Sequence, residues 1–291
     1  MFSPAGALAG TRGRGYCPGM TEDGRHTTPG AAGQRVAWWS SGTGPPIVLV
    51  NGYAATSEDW DPSFVAALEA SFEVVRPDNR GLGGSELGDP AAVTIDAMAA
   101  DVEAVLDALG IDRVPVVGWS MGGFIAQQLA VRSPGRVTAL VLLATDPGGP
   151  AALTAAPEVW DRLTDRSGSP RQQASRLISL LFPPSLAPEI DQQFGDLVAG
   201  ARAGLDPAAL DAQEAAMGAW HDEGGSVPVP GGLPVLAVSG TEDVVIPPGN
   251  AEALAARWPG GRVVHIDGGG HAFMAQDPVG VAGLVTSFLG R

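Results

Sequence analysis

Arg113-Val114-Pro115-Val116-Val117-Gly118-Trp119-Ser120-Met121-Gly122 begins as a strand and ends as a turn. Residues 113–118 form a short, apolar, β-branched run, the mark of a buried parallel strand. Beyond the turn, Phe124, Ile125, Leu129 and Val131 recur among Ala and Gln in a helix-forming segment that stops before Ser133-Pro134. Gly-x-Ser-x-Gly, residues 118–122, lies between the two and puts a serine on a sharp strand-to-helix turn. In a chain with 41 glycines the pentapeptide alone is a weak signal, and an incidental serine in a Gly-rich turn is the plain alternative. The strand-turn-helix setting gives it weight. It predicts a Ser120 hydroxyl held above the carboxyl end of a sheet, beside the free N–H groups of a helix start.

The same alternation runs outward from this point. Arg35 to Ser40, Pro46 to Asn51 and Phe72 to Pro77 read as strands, and residues 93–109 as an amphipathic helix. Thr94 can cap that helix and Gly110 can end it. Val137 to Ala144 reads as another buried strand. Residues 147–230 then lose the alternation and carry helix-like stretches broken by Pro and Gly. Order returns with strands at 233–239 and 262–266 and helices at 248–258 and 277–289. This pattern implies an α/β fold, a mostly parallel doubly wound sheet with an inserted helical lid. The organisation expected is a flexible N-terminal tail over 1–33, a core over 34–146 and 231–291, and the lid over 147–230. Met20, inside the tail, is a second candidate start of translation.

Composition narrows the chemistry. With 45% hydrophobic and 17% charged residues the 291-residue chain has the makings of a globular core. A formal charge of −15 argues against nucleic acid and anionic membrane as partners. No apolar run approaches the roughly 18 residues needed to span a bilayer. The first eleven residues carry no basic side chain and make a poor secretory signal, so cytoplasmic residence is the default expectation. Cys17 is the lone cysteine, which rules out an internal disulfide, and no Cys/His cluster has zinc-ligand spacing. All 17 basic residues are arginine. Lacking lysine, the chain has no Schiff-base, pyridoxal phosphate or Walker chemistry. Neither a cofactor nor a metal is expected, and the expected partner is a small-molecule substrate.

A serine hydroxyl is a weak nucleophile until a base takes its proton, and the base needs an orienting carboxylate. In a doubly wound sheet both come from loops at the carboxyl ends of other strands. Of four histidines, His26 lies in the tail, His221 in the insertion and His265 within a strand. His271 follows that strand in Gly268-Gly269-Gly270-His271-Ala272-Phe273 and is the expected base. For the acid, Glu242 and Asp243 both follow the strand 233–239, and Asp146 follows the strand 137–144. Asp243 is favoured because Pro247 fixes its loop just before the next helix. Developing oxyanion charge would be met by the backbone N–H of Met121 and, from the loop Asn51-Gly52-Tyr53, by that of Tyr53. Trp119, Phe273, Trp160, Phe182, Met217 and Trp220 are the expected pocket residues, although packing between lid helices explains any one of the lid members as well.

These residues resemble the α/β-hydrolase superfamily from about residue 34 to the end. Beside the serine pentapeptide, Asp78-Asn79-Arg80-Gly81-Leu82-Gly83-Gly84-Ser85 is similar to the family's D-x-R-G-x-G-x-S loop. Gly240-Thr241-Glu242-Asp243 with Pro247 resembles its acid-bearing turn, and Gly270-His271 its histidine loop. The order Ser, Asp, His is that of α/β-hydrolases. Capped esterases, enol-lactonases, cofactor-free haloperoxidases and the methylesterases that tailor polyketides are the groups most similar in general look. Where the family usually has His-Gly, this chain has Asn51-Gly52, and an asparagine can hydrogen-bond to hold the loop. Dehalogenases and epoxide hydrolases of the superfamily carry aspartate where this chain has Ser120, which speaks against both activities.

The resemblance and the residues together imply a serine hydrolase acting on an ester or lactone of a small, largely apolar molecule. The alternatives on the same scaffold are a cofactor-free perhydrolase or haloperoxidase, a C–C bond hydrolase, and a non-hydrolytic biosynthetic enzyme or binding protein.

Overall fold

The computed structural model describes residues 25–224 and 228–290. Its eight strands are β1 (His26–Pro29), β2 (Arg35–Gly42), β3 (Pro46–Val50), β4 (Glu73–Pro77), β5 (Val114–Trp119), β6 (Val137–Leu143), β7 (Val235–Gly240) and β8 (Arg262–Ile266). They form one sheet in the order β1-β2-β4-β3-β5-β6-β7-β8. The pairs β1–β2 and β2–β4 are antiparallel, and the remaining neighbours are parallel. Up to residue 24 the expected tail lies outside the described residues, as do Cys17 and Met20. From His26 to Pro29, however, the chain is an edge strand, in register with Arg35 to Trp38. Two β-branched threonines and a tight return at Gly30 and Gly33 suit that hairpin, and His26 stacks on Trp38 with ring centroids 4.3 Å apart.

Strand side chains point alternately to the two faces of the sheet, and the apolar runs fill both. Val48, Val50 and Val116 pack with α2 (Ile95–Leu109) and α3 (Met121–Arg132). Ile47, Leu49 and Val117 point the other way. There they meet α1 (Pro62–Glu69) and α10 (Pro278–Leu289) through Phe64, Leu68, Val281 and Val285. On α2, Thr94 Oγ1 accepts the Ala97 amide at 3.0 Å, and Gly110 takes φ 66° to end the helix.

Between β6 and β7 the chain adds α4 (Pro157–Thr164), α5 (Pro170–Leu181), α6 (Ala187–Ala203) and α7 (Pro207–Glu223). Here α5 packs along α6, and α7 lies against the body of the protein. A buried glutamine ties α7 down. Gln213 accepts the Ala54 amide at 3.1 Å through Oε1 and donates to the Arg80 carbonyl at 3.1 Å through Nε2. Arg80 is itself buried, with Nε and Nη2 on the two oxygens of Asp101 from α2. After β7, α8 (Asn250–Arg257) returns to the α2 and α3 face, and α9 (Phe273–Gln276) precedes α10.

Parallel pairing settles where the loops go. Val50 registers with Gly118, Trp119 with Leu143, and Gly240 with Ile266. The segments that follow β3, β5, β6, β7 and β8 therefore all emerge at one edge of the sheet.

Candidate active site

Ser120 sits where β5 gives way to α3, with φ 54° and ψ −125°. A side-chain-bearing residue pays for that backbone conformation, of order 1–3 kcal/mol, so its surroundings must enforce it. They do so at both ends of the peptide unit. The Ser120 amide donates to the Leu143 carbonyl at 3.0 Å, and its carbonyl accepts from Gly123 N–H and Thr145 Oγ1, each at 2.8 Å. Two of the neighbouring glycines answer to close approach. A Cβ on Gly122 would lie 2.0 Å from the Val50 carbonyl oxygen. One on Gly52 would lie 3.1 Å from Ser120 Cβ, which shows how near the loop after β3 comes to the serine.

His271 and Asp243 arrive from the loops after β8 and β7. Their side chains are 3% and 0% exposed, with His271 Nδ1 2.8 Å from Asp243 Oδ2. The second oxygen, Oδ1, accepts the amides of Val245 and Ile246 at 2.8 and 2.9 Å. Both oxygens of the carboxylate are thus engaged. Trp119, next to the serine, donates its indole N–H to the His271 carbonyl at 3.0 Å. Gln276 fastens the histidine loop by accepting from Gly270 N–H and donating to the Gly268 carbonyl. Glu242, the neighbouring carboxylate, has its side chain in solvent, and its backbone amide bonds to Gly269. Among the described residues Ser120 Oγ and His271 are not hydrogen-bonded to each other.

The loop after β3 is held by Asn51. Its side-chain amide donates to the Thr56 carbonyl, while its own carbonyl accepts from Asn79 Nδ2 at 2.9 Å. Tyr53 follows, with its phenol on Glu214 Oε1 at 2.5 Å. Burial, and then the bond to Glu214, push the Tyr53 phenol far above its ordinary pKa. The backbone N–H groups of Tyr53 and Met121 have no protein acceptor among the described residues.

A cavity of about 410 Å³ opens over Ser120, a size suited to a small organic molecule. Trp160 and Met217 line it, as does Tyr53. Trp119, Phe273, Phe182 and Trp220 are not among its lining residues. Trp119 packs between Trp60 and His271. Phe273 is fully buried with the α1 and α10 core, against which Phe182 also rests. Trp220 stacks on Phe124, centroids 5.3 Å apart. Phe273 and Trp220 are buried in the two cores, while Trp119 and Phe182 pack half-buried against one of them. The remaining walls come from residues the sequence did not mark for the pocket. Phe124, one helical turn past Ser120, is one, and Val245 and Ile246, the two residues gripped by Asp243, are others. Spacing from the serine and the aspartate is the signal that could have found them.

His221 also lines the cavity. Its Nε2 lies 3.0 Å from Oδ2 of Asp146, a carboxylate with no exposed surface. Asp146, by sequence a second possible source of the acid, thus pairs with a different histidine. Asp161 and Asp222 add acidic groups to the lining, which contains no arginine among the described residues. Those residues also hold no group of three or more His, Cys, Asp or Glu placed to hold a metal ion. No described helix is long and apolar enough to cross a membrane.

Residues 45–278 match the sequence model of the alpha/beta hydrolase fold. The chain belongs to that family. It is an enzyme of the α/β hydrolase kind, with the family's eight-stranded, mostly parallel sheet. A Mycobacterium tuberculosis (strain H37Rv) relative that carries the name of a non-heme bromoperoxidase, BpoC, is 30% identical over 262 residues, covering 84% of this chain and 94% of that one. Rhodomycin D methylesterase DnrP of Streptomyces peucetius is 31% identical over 277 residues, covering 81% and 89%. Among solved structures, a hydrolase from Pseudomonas aeruginosa PA01 superimposes with a TM-score of 0.79 at 26% identity, over 93% of this chain and all of that one.

Proposed function

We propose that this α/β hydrolase cleaves an ester or lactone of a small, largely apolar molecule through a Ser120–His271–Asp243 triad and an acyl-enzyme. The observation that carries the reading is the buried 2.8 Å pair of His271 and Asp243, on loops at the same sheet edge as the strained Ser120 and its cavity. The methylesterase among the relatives lends it support.

In this mechanism Asp243 accepts the Nδ1–H of His271, which leaves Nε2 free to take a proton. Ser120 Oγ attacks the carbonyl carbon as that proton moves to Nε2. The oxyanion forms against the amides of Met121 and Tyr53. The same proton passes to the leaving alkoxide, and an alcohol departs. Water then repeats the cycle on the acyl-enzyme, losing a proton to His271 and releasing the acid. The segment 147–230 acts as the lid over this chamber, and Gln213 anchors it through its bonds to Ala54 and Arg80.

Fluorophosphonate labelling tests the reading. The folded enzyme should be labelled on Ser120, as read by peptide mass spectrometry, and Ser120→Ala should lose the label together with about 10⁴–10⁶ in kcat on simple esters. Unlabelled, folded wild-type protein would point to a binding role. A second reading, peracid formation when peroxide takes the place of water on the acyl-enzyme, draws on the name of the mycobacterial relative. Halide oxidation that requires both a carboxylic acid and peroxide, with no added metal, distinguishes it.

A further inference from the structure

The chamber over Ser120 contains an imidazole that the hydrolytic mechanism does not use. His221 lies near the end of α7, and its Nε2 is 3.0 Å from Asp146 Oδ2. Asp146 is held independently of it. Oδ1 accepts the Gly148 amide at 2.8 Å and the Trp220 indole N–H at 3.2 Å, and the Asp146 carbonyl accepts from Gln127 Nε2 at 2.8 Å. The ring of His221 stands edge-on to Phe124, at 5.7 Å and 74°. Its orientation is therefore set from two sides. A carboxylate only accepts, so Nε2 carries the hydrogen, and in the neutral ring Nδ1 is left as an acceptor. No described protein donor meets Nδ1. The side chain keeps 21% of its surface exposed, and it lines the same cavity as Ser120.

We propose that His221, oriented by Asp146, is a substrate-recognition residue that accepts a hydrogen bond from a neutral hydroxyl, phenolic or alcoholic, on an otherwise apolar ester. This rests on the hydrolase reading for the word ester, but not for the binding itself. Charge decides against an anionic group. Asp161 and Asp222 line the cavity and no arginine does, so an anionic substituent would meet repulsion with nothing to pair it. An imidazole acceptor left facing an apolar group would lose its solvation without return, which is how a site built for a hydroxyl rejects the analogue lacking it.

Calorimetry with the methyl esters of 2-, 3- and 4-hydroxyphenylacetic acid, phenylacetic acid and the three methoxy analogues tests this. The host is Ser120→Ala, which prevents turnover. At least one hydroxy isomer should bind about tenfold more tightly than both the unsubstituted and the corresponding methoxy ester. Adding His221→Phe should bring that ratio close to one. Asp146→Asn gives a sharper result. Its side-chain oxygen must stay on the two N–H donors at the Oδ1 position, so the amide NH₂ faces Nε2 and the imidazole proton moves to Nδ1. The hydroxy preference should then fall and the methoxy ester gain. Equal binding of hydroxy and unsubstituted esters by the parent protein would overturn the proposal, even if neither variant folds. So would an unchanged ratio in folded His221→Phe. Failure of fluorophosphonate labelling, by contrast, would remove the hydrolase reading and leave these binding ratios meaningful.

Discussion

Asp243 Oδ2 lies 2.8 Å from His271 Nδ1, while Oδ1 of the same carboxylate holds the amides of Val245 and Ile246. One side chain thus fixes the imidazole and shapes the cavity wall. Asp243→Asn would keep its oxygen on the two amides and turn its NH₂ toward Nδ1, forcing the imidazole proton onto Nε2. The expected result is a loss of about 10⁴ in kcat with little change in Tm. Steady-state kinetics beside a thermal melt checks it, and a loss below tenfold would reject Asp243 as the orienting acid.

Ser120 stores backbone strain at φ 54°. Glycine adopts that conformation without a Cβ clash and alanine does not. Ser120→Gly should therefore be more stable than Ser120→Ala by about 1 kcal/mol, although both lack the proposed nucleophile. Urea unfolding of the two variants measures the difference. Equal midpoints would mean that the turn relaxes at no cost.

The Arg80–Asp101 pair is almost sealed, with side-chain exposures of 3% and 7%. Removing one charge strands the other in the core. Arg80→Met should cost about 3–5 kcal/mol in unfolding free energy. Because the Arg80 carbonyl accepts from Gln213, loosening this loop should also raise KM through α7. A variant as stable as wild type would show that water reaches Asp101.

Tyr53 gives an alkaline signature. Its phenol is held above the ordinary value of 10.0, first by burial and then by Glu214. The folded protein thus keeps a proton that the unfolded chain gives up. The stabilising contribution is complete below about pH 10 and drains away as pH rises toward the folded pKa. Tyr53→Phe cannot show this term, so its stability should fall less steeply above pH 10. Denaturant melts at pH 8 and 10.5 on both proteins provide the comparison, and parallel declines would dismiss the linkage.

Much of this architecture was legible in local pattern. Thr94 and Gly110 bracket α2 as capping chemistry requires, and the runs at Pro46, Val114, Val137 and Val235 became the parallel centre of the sheet. β1 was not legible in the same way, because an edge strand of four residues owes its form to pairing with β2 and carries almost no periodicity of its own. The wall of the cavity was legible only in part. Size marks Trp119, Phe182, Phe273 and Trp220 for a pocket, but size also favours burial: Phe273 and Trp220 lie within the cores, and Trp119 and Phe182 pack half-buried against one.

The sequence by itself determined the alternation of the parallel strands with their helices and the motif-bearing loops around Ser120, Asp243 and His271, because periodicity, capping and turn chemistry act over a few residues. Only the tertiary structure decided which groups meet across the chain. It set His271 on Asp243 with Glu242 left in solvent, brought Gln213 to Ala54, and joined His221 to Asp146 across 75 positions. Those contacts depend on how α7 docks and where parallel strands end, and no local pattern encodes a distance between segments that only packing brings together.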